Sequence, residues 1–178
     1  KLPLLLGLLR QHASGSVLIF TQTKRQADKL SGALSANRHN VAILHSDRSQ
    51  SQRNAALAGF RTGRTRVLVA TDVAARGIDV DDVSHVINYE VPATAEDYIH
   101  RVGRTARAGR AGVAFTLVSP EEEGKLEAIE RGAGIRIERS HLSGFSDGRS
   151  RHQVELASDL GRLRSSTTRS FGPRRASR

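Results

Sequence analysis

The chain is 178 residues long, 38% hydrophobic and 26% charged, which suits one soluble domain with a real core. It has no cysteine and no apolar run near the length of a bilayer-crossing helix, which excludes disulfides, thiolate chemistry and a helical membrane anchor; the leucine-rich start KLPLLLGLLRQ is too short and too charged at its ends for a signal peptide. The formal net charge of +10, from 28 basic against 18 acidic residues, points to a polyanionic partner, nucleic acid first, although an arginine-rich coding bias produces the same surplus. Methionine is absent and the chain opens on Lys1, so a piece of a longer intracellular protein is expected.

Short apolar runs alternate with amphipathic stretches from the start. SVLIFT (16–21) reads as a strand and TKRQADKLSGALSA (23–36) as a helix, followed by a strand in VAILH (41–45) and a helix in SQSQRNAALAGFR (49–61). RVLVAT (66–71) and SHVINY (84–89) read as further strands. TAEDYIHRVG (94–103) reads as a helix, with Thr94 as N-cap and Asp97 three residues on in a variant of the capping box, and Gly103 interrupting it. GVAFTLV (112–118) and EEEGKLEAIERG (121–132) close the series as strand and helix. This βαβα order predicts an α/β fold, a parallel sheet flanked by helices on both faces, over residues 1–139. From 140 to 178 the pattern dissolves into Ser, Gly and eight arginines against three acids, with weak helical periodicity only at 154–163; a mostly disordered basic tail is expected.

The chemistry available is narrow. Seven histidines show no usual ligand spacing and there is no Cys, so no metal site is expected. His45, Ser46 and Asp47 match a hydrolytic triad by type, but adjacent residues cannot converge in that geometry. HRVGRTARAGR (100–110) places Arg101, Arg104, Arg107 and Arg110 at three-residue spacing with Gly103 and Gly109 between them, beginning on the last turn of a helix at the carboxyl side of the sheet. Guanidinium groups match phosphate oxygens in bidentate fashion, and ligands of open α/β sheets bind at those strand ends. Taken alone, the array reads equally as a solvated face pairing with acids such as Asp97.

The array has company. VLIFTQTK (17–24), HSDRSQSQR (45–53), ATDVAARGIDV (70–80) and HRVGRTARAGR (100–110) resemble motifs IV, IVa, V and VI of DEAD-box RNA helicases, in that order and at suitable separations. The resemblance covers residues 1–139, the whole second RecA-like domain of such an enzyme, and is nearest to bacterial members of the RhlE type. It implies that Arg104 and Arg107 are arginine fingers for ATP held, with its Mg²⁺, by a first domain. It also implies that His100 and Arg101 organise the interdomain interface, that Asp79 and Gly77 lie at the nucleotide, with Asp79 on its ribose, and that Asp72 couples the nucleotide and RNA surfaces. Thr23, Lys24, Gln50, Arg53, Thr71, Arg76 and Gly77 fall where the family contacts the RNA backbone. The partners so implied are RNA and the N-terminal RecA-like domain of the same protein, with no membrane and a cytoplasmic setting. Two positions depart from the family: Ser46 and Ala106 stand where Gly is usual.

No G-x-x-x-x-G-K-[ST] loop exists, since the Gly124–Lys125 pair is followed by Leu126, and no DEAD sequence is present; DVDD (79–82) and EEE (121–123) lie in the wrong context. The chain alone is therefore expected to be inactive as an ATPase. Two other classes fit the same residues, a non-enzymatic RNA- or protein-binding module and the C-terminal domain of a related DNA helicase. The tail is expected to attract RNA without specificity.

Overall fold

In a computed structural model the described residues are 1–75, 80, 83–106, 112–140, 142 and 152–156, the last five as backbone. Helix α1 (Leu2–Gln11) leads into β1 (Val17–Thr21), α2 (Lys24–Ala36), β2 (Val41–Leu44), α3 (Gln50–Arg61) and β3 (Val67–Thr71). A single turn, α4 (Asp72–Ala75), precedes β4 (His85–Asn88), α5 (Ala95–Val102), β5 (Val113–Leu117), a 3-10 turn at Pro120–Glu122 and α6 (Glu123–Ala133). Two further strands, β6 (Arg139–Ser140) and β7 (His152–Leu156), complete a sheet of order β2-β3-β1-β4-β5-β7-β6. The first five are parallel; β7 runs antiparallel to both β5 and β6.

Strands β1 and β3 are buried along their whole length, as expected for a sheet covered on both faces. Alternate residues feed two separate cores. Leu18, Phe20, Leu68, Ala70 and Val86 pack with Phe60 of α3, Tyr98 and Val102 of α5, and Leu126 and Ile129 of α6. Val17, Ile19, Val67, Val69, Ile87 and Phe115 pack on the other face with Leu4, Leu5, Leu8 and Leu9 of α1 and Ala27, Leu30 and Leu34 of α2. Helix starts are capped by side chains: Ser49 and Gln52 form a full capping box on α3, and Thr94 Oγ1 accepts the Asp97 amide at 3.0 Å on α5. The Asp97 carboxylate departs from the box by accepting the Thr94 hydroxyl, at 2.9 Å.

All nine expected elements form within two residues of their expected ends. Two differ from expectation. The leucine-rich start, given no structure by its sequence, is a helix whose Leu4, Leu5, Leu8 and Leu9 fill one face at helical spacing. Within the stretch expected to be a mostly disordered tail, with only weak helical periodicity at 154–163, His152–Leu156 pair with the free edge of β5. Ser140 also lies in the sheet and Leu142 packs against the second core, while 141, 143–151 and 157–178 lie outside the described residues. Among the described residues no helix is long and apolar enough to cross a membrane.

Candidate functional site

Parallel strands bring their carboxyl ends to one edge, and the register decides which loops meet there. Thr21 lies beside Thr71, Leu44 beside Ala70, and Phe20 beside Asn88. The segments beginning at Thr23, His45, Asp72 and Glu90 therefore leave the sheet as neighbours.

Arg101 is the hub of this edge. Its side chain is 2% exposed, and Nε and Nη2 donate to the two oxygens of Asp72, both at 2.6 Å. Nη1 donates to Asn88 Oδ1 at 3.1 Å and to the Glu90 carbonyl at 3.3 Å, while the guanidinium lies 5.2 Å from the centre of the Phe20 ring. Asn88 is itself fixed by donating to Thr116 Oγ1 at 3.1 Å. Burying a guanidinium is tolerable only when its donors are satisfied in this way. The first arginine of the array thus points inward and ties the segment after β3 to α5. His100, the next residue back, is exposed, and Arg104 is half-buried. Arg76, Gly77, Asp79 and Arg107 lie outside the described residues.

The other two loops are joined more loosely. Thr23 caps α2 by accepting the Gln26 amide at 3.1 Å, so its hydroxyl oxygen serves the helix start. Lys24 is exposed and pairs with Asp47 at 2.9 Å, tying the loop after β1 to the loop after β2. Hydrogen bonding to Lys24 holds the Asp47 carboxyl below its ordinary value. Gln50, exposed at the first turn of α3, donates to Asn54 Oδ1 at 2.9 Å. Arg53 is half-buried; one terminal nitrogen reaches the Ala74 carbonyl only at 3.5 Å, and its buried Nε has no hydrogen-bond partner. Thr71 is 8% exposed at the end of β3.

His45 does not meet Ser46 as a base. Its ring is buried, with Nε2 3.1 Å from Asp28 and Nδ1 accepting the Asp47 amide at 3.3 Å. With Nδ1 an acceptor, Nε2 carries the proton and donates to Asp28, so the Arg48 Nε contact at 3.3 Å is an approach rather than a bond. Arg48 instead donates to Asp28 at 2.7 Å. Ser46 hydrogen-bonds the Asp47 carboxylate at 3.4 Å. This cluster orients the loop after β2.

Phe20, Asp72, Ala75, Asp97, His100, Arg101 and Arg104 line a shallow pocket of about 20 Å³. That volume takes a water or one small polar group and not a nucleotide. The donors facing it suit a phosphate oxygen. Among the described residues no group of three or more His, Asp or Glu side chains is placed to hold a metal ion. All the described Phe and Tyr residues, Phe20, Phe60, Tyr89, Tyr98 and Phe115, are buried, so none of them offers a face on which bases could stack.

Three residues to which the sequence assigned no role hold this site: Phe20, inside the VLIFTQTK segment, Asn88 and Glu90. Glu90 also accepts the Gln22 amide at 2.8 Å, fastening the loop after β1. Asn88 had a signal, a polar residue in the apolar run HVIN; Phe20 and Glu90 had none.

Residues 1–109 match the family described as helicase conserved C-terminal domain. Over 139 residues the chain is 44% identical to the DEAD-box ATP-dependent RNA helicase CshA of Geobacillus kaustophilus, covering 78% of this chain and 30% of that protein. Among solved structures, E. coli DEAD-box protein SrmB bound to regulator of ribonuclease activity A is similar with TM-score 0.69 and 41% identity, over 73% of this chain and 76% of that one. S. cerevisiae Dbp5 bound to RNA and ADP BeF3 gives TM-score 0.70 and 41% identity over 75% of this chain and 36% of that chain. The chain therefore spans about a third of the length of the curated relative it matches, and its fold is the RecA-like one. With the family matched across residues 1–109, the chain belongs to the helicase conserved C-terminal domain family, in the form found in DEAD-box RNA helicases.

Proposed function

We propose that this chain is the second domain of an ATP-dependent RNA helicase, contributing arginine fingers to a nucleotide gripped by a first RecA-like domain and one wall of the RNA-backbone site. The observation that carries the proposal is the Asp72–Arg101 pair, which locks the segment after β3 to α5 and leaves Arg104 facing the pocket beside them. ATP with Mg²⁺, bound by the first domain, supplies the phosphoryl group to be transferred. Arg104, joined by Arg107, neutralises charge on its oxygens; His100 lies at the interdomain surface and Asp72 couples it to the RNA side, while Asp79 and Gly77 serve the nucleotide. Thr23, Lys24, Gln50, Arg53, Thr71, Arg76 and Gly77 hold phosphates of the RNA strand. The absence of exposed described aromatics supports contacts to phosphate rather than to bases. Ligands that touch both domains select the closed arrangement. The cytoplasm is the compartment this activity suits.

The test is RNA-stimulated ATP hydrolysis. The 178-residue chain alone should show none, and activity should require the upstream domain. In the two-domain protein, Arg104→Ala should lower kcat by about 10³ to 10⁵ with RNA affinity nearly unchanged. Unchanged kcat would return Arg104 to a structural role, and robust turnover by the isolated chain would overturn the division of labour.

A further inference from the structure

Immediately after Arg104, three independent features converge on one residue. Thr105 is 3% exposed, and its Oγ1 donates to the Val83 carbonyl at 2.5 Å, with the Ser84 carbonyl at 3.4 Å. The Val83 amide in turn donates to the Arg104 carbonyl at 3.1 Å, so Val83 is bonded on both sides of the Arg104–Thr105 peptide. The next residue, Ala106, takes the left-handed conformation with φ 55°, which a residue bearing a Cβ adopts only at a conformational cost. Finally, Gly112 at the approach to β5 is seated against the same point: a Cβ there would lie 1.9 Å from Thr105 Oγ1 and 2.6 Å from the Ala106 amide nitrogen.

Packing alone does not require this. Valine has the shape of threonine and would fill the same space, whereas only the hydroxyl reaches the Val83 carbonyl. A buried hydroxyl, a bent backbone and a glycine seat together fix where the chain stands as it leaves Arg104. Catalysis by a guanidinium depends on its position relative to the developing charge, and a displacement of about 1 Å can cost on the order of 10²-fold in rate.

We infer that Thr105 is a positioning residue for Arg104: its hydroxyl, pinned to the Val83 carbonyl and seated on Gly112, holds the Arg104 backbone in the place from which the guanidinium meets a phosphate on the partner domain. This rests on the reading of Arg104 as an arginine finger. Thr105 touches no substrate and acts only through its neighbour.

The experiment measures ATP hydrolysis in the two-domain protein for Thr105→Val, Thr105→Ser, Gly112→Ala, Arg104→Ala and the Thr105→Val/Arg104→Ala pair. Thr105→Val is expected to lower kcat by about 10- to 100-fold while KM for ATP and the Kd for RNA stay within about twofold. Thr105→Ser keeps the hydroxyl and should restore kcat to within about twofold of the parent, and Gly112→Ala, whose methyl would press on both the Thr105 hydroxyl and the Ala106 amide, should reproduce the loss. In the Arg104→Ala background Thr105→Val should add nothing. The inference is overturned if Arg104→Ala lowers kcat but Thr105→Val does not, if Ser fails to restore activity, or if the two substitutions add independently. Arg104→Ala leaving kcat unchanged would instead sink the finger reading beneath it. If Thr105→Val prevents folding, Ser and Gly112→Ala decide: normal kcat in folded Gly112→Ala overturns the positioning role.

Discussion

The two edges of the sheet satisfy their charges in different ways. At the carboxyl edge, cations meet carboxylates from distant segments: Arg101 with Asp72, Arg48 with Asp28, Lys24 with Asp47. At the amino edge, Arg66 donates to main-chain carbonyls, to Gly15 at 3.1 Å and also to His12, and the rings of His12 and His85 meet at 3.2 Å between nitrogens beside it. Backbone carbonyls are present whatever the side chains, so the amino edge asks little of the sequence beyond one arginine. The carboxyl edge needs particular acids at particular places. Ligand chemistry belongs at the edge whose geometry is written in side chains, because there a substitution can move one group without disturbing the sheet.

The largest effect should follow from breaking the buried member of that edge. Arg101→Ala strands Asp72 and removes the donors of Asn88 Oδ1 and the Glu90 carbonyl; the loss should be on the order of 3 kcal/mol, near the low end for a broken buried pair because Asp72 keeps 25% of its side-chain surface. Arg101→Lys should recover less than half, since an ammonium cannot span both oxygens of Asp72 and still reach Asn88. Urea unfolding of both variants checks this. A loss below about 0.5 kcal/mol for Arg101→Ala would place this pair among ordinary surface bridges.

Next in size is the helix start at the same edge. Thr23→Ala removes the hydroxyl that accepts the Gln26 amide and should cost about 1 kcal/mol, with Thr23→Ser nearly neutral. Stability and RNA affinity measured together separate the cap from the RNA contact proposed for Thr23. If affinity falls more than tenfold while stability falls by the capping loss alone, its RNA contact is independent of the cap.

How much of this was legible beforehand depended on where the partner lay. β1 and β3 were readable because strands buried on both faces are continuous apolar runs, and α2 and α3 because their starts carry Thr23 and Ser49 as caps. α1 was hidden because LPLLLGLLR has no polar face to betray a helical period, and β7 because a five-residue segment takes its structure from the free edge of β5 rather than from its own pattern. The motif segments pointed to loops that the strand register brings to one edge, those beginning at Thr23, His45 and Asp72, but not to the directions of their side chains. Spacing by three made Arg101 and Arg104 look like one charged stripe; Arg101 turns inward because its acceptors stand 29 and 13 residues away, at Asp72 and Asn88. Ala106 had a signal in its departure from the usual Gly, and the left-handed φ shows what that Gly is for.

The amino edge should respond to mildly acidic pH. Burial, with the Arg66 charge, pushes the His12 ring below its ordinary value, and burial, His12 and Arg66 do the same to His85. A histidine depressed in the folded state resists protonation there and accepts it when unfolded. Its contribution is complete above the ordinary histidine value near 6.5 and declines as pH falls through that value toward the folded ones. Melting temperature should therefore drop between pH 7 and pH 5, and His85→Gln should flatten that slope. An unchanged slope would mean that the two rings titrate alike folded and unfolded.

The smallest effect concerns the exposed pair at the carboxyl edge. Lys24 and Asp47 are each about half exposed, so their attraction is screened by water and salt and adds little to stability. Its consequence lies in binding. Lys24 faces the edge where RNA phosphates are proposed to lie, and Asp47, 2.9 Å from its ammonium, competes with any phosphate for that charge. Asp47→Ala removes the competitor and one negative charge, so RNA affinity should rise, by about two- to fivefold at low salt and by nothing measurable at high salt, while stability stays within about 0.5 kcal/mol. Lys24→Ala should lower affinity and reduce the magnitude of the salt slope by about 0.7, one contact's share on a single strand. The double variant should behave as Lys24→Ala alone, because Asp47 acts on RNA through Lys24. Weaker binding on Asp47→Ala would instead show that the carboxylate holds Lys24 in its binding position, and the loose junction would then share the pinned character of the Asp72–Arg101 one.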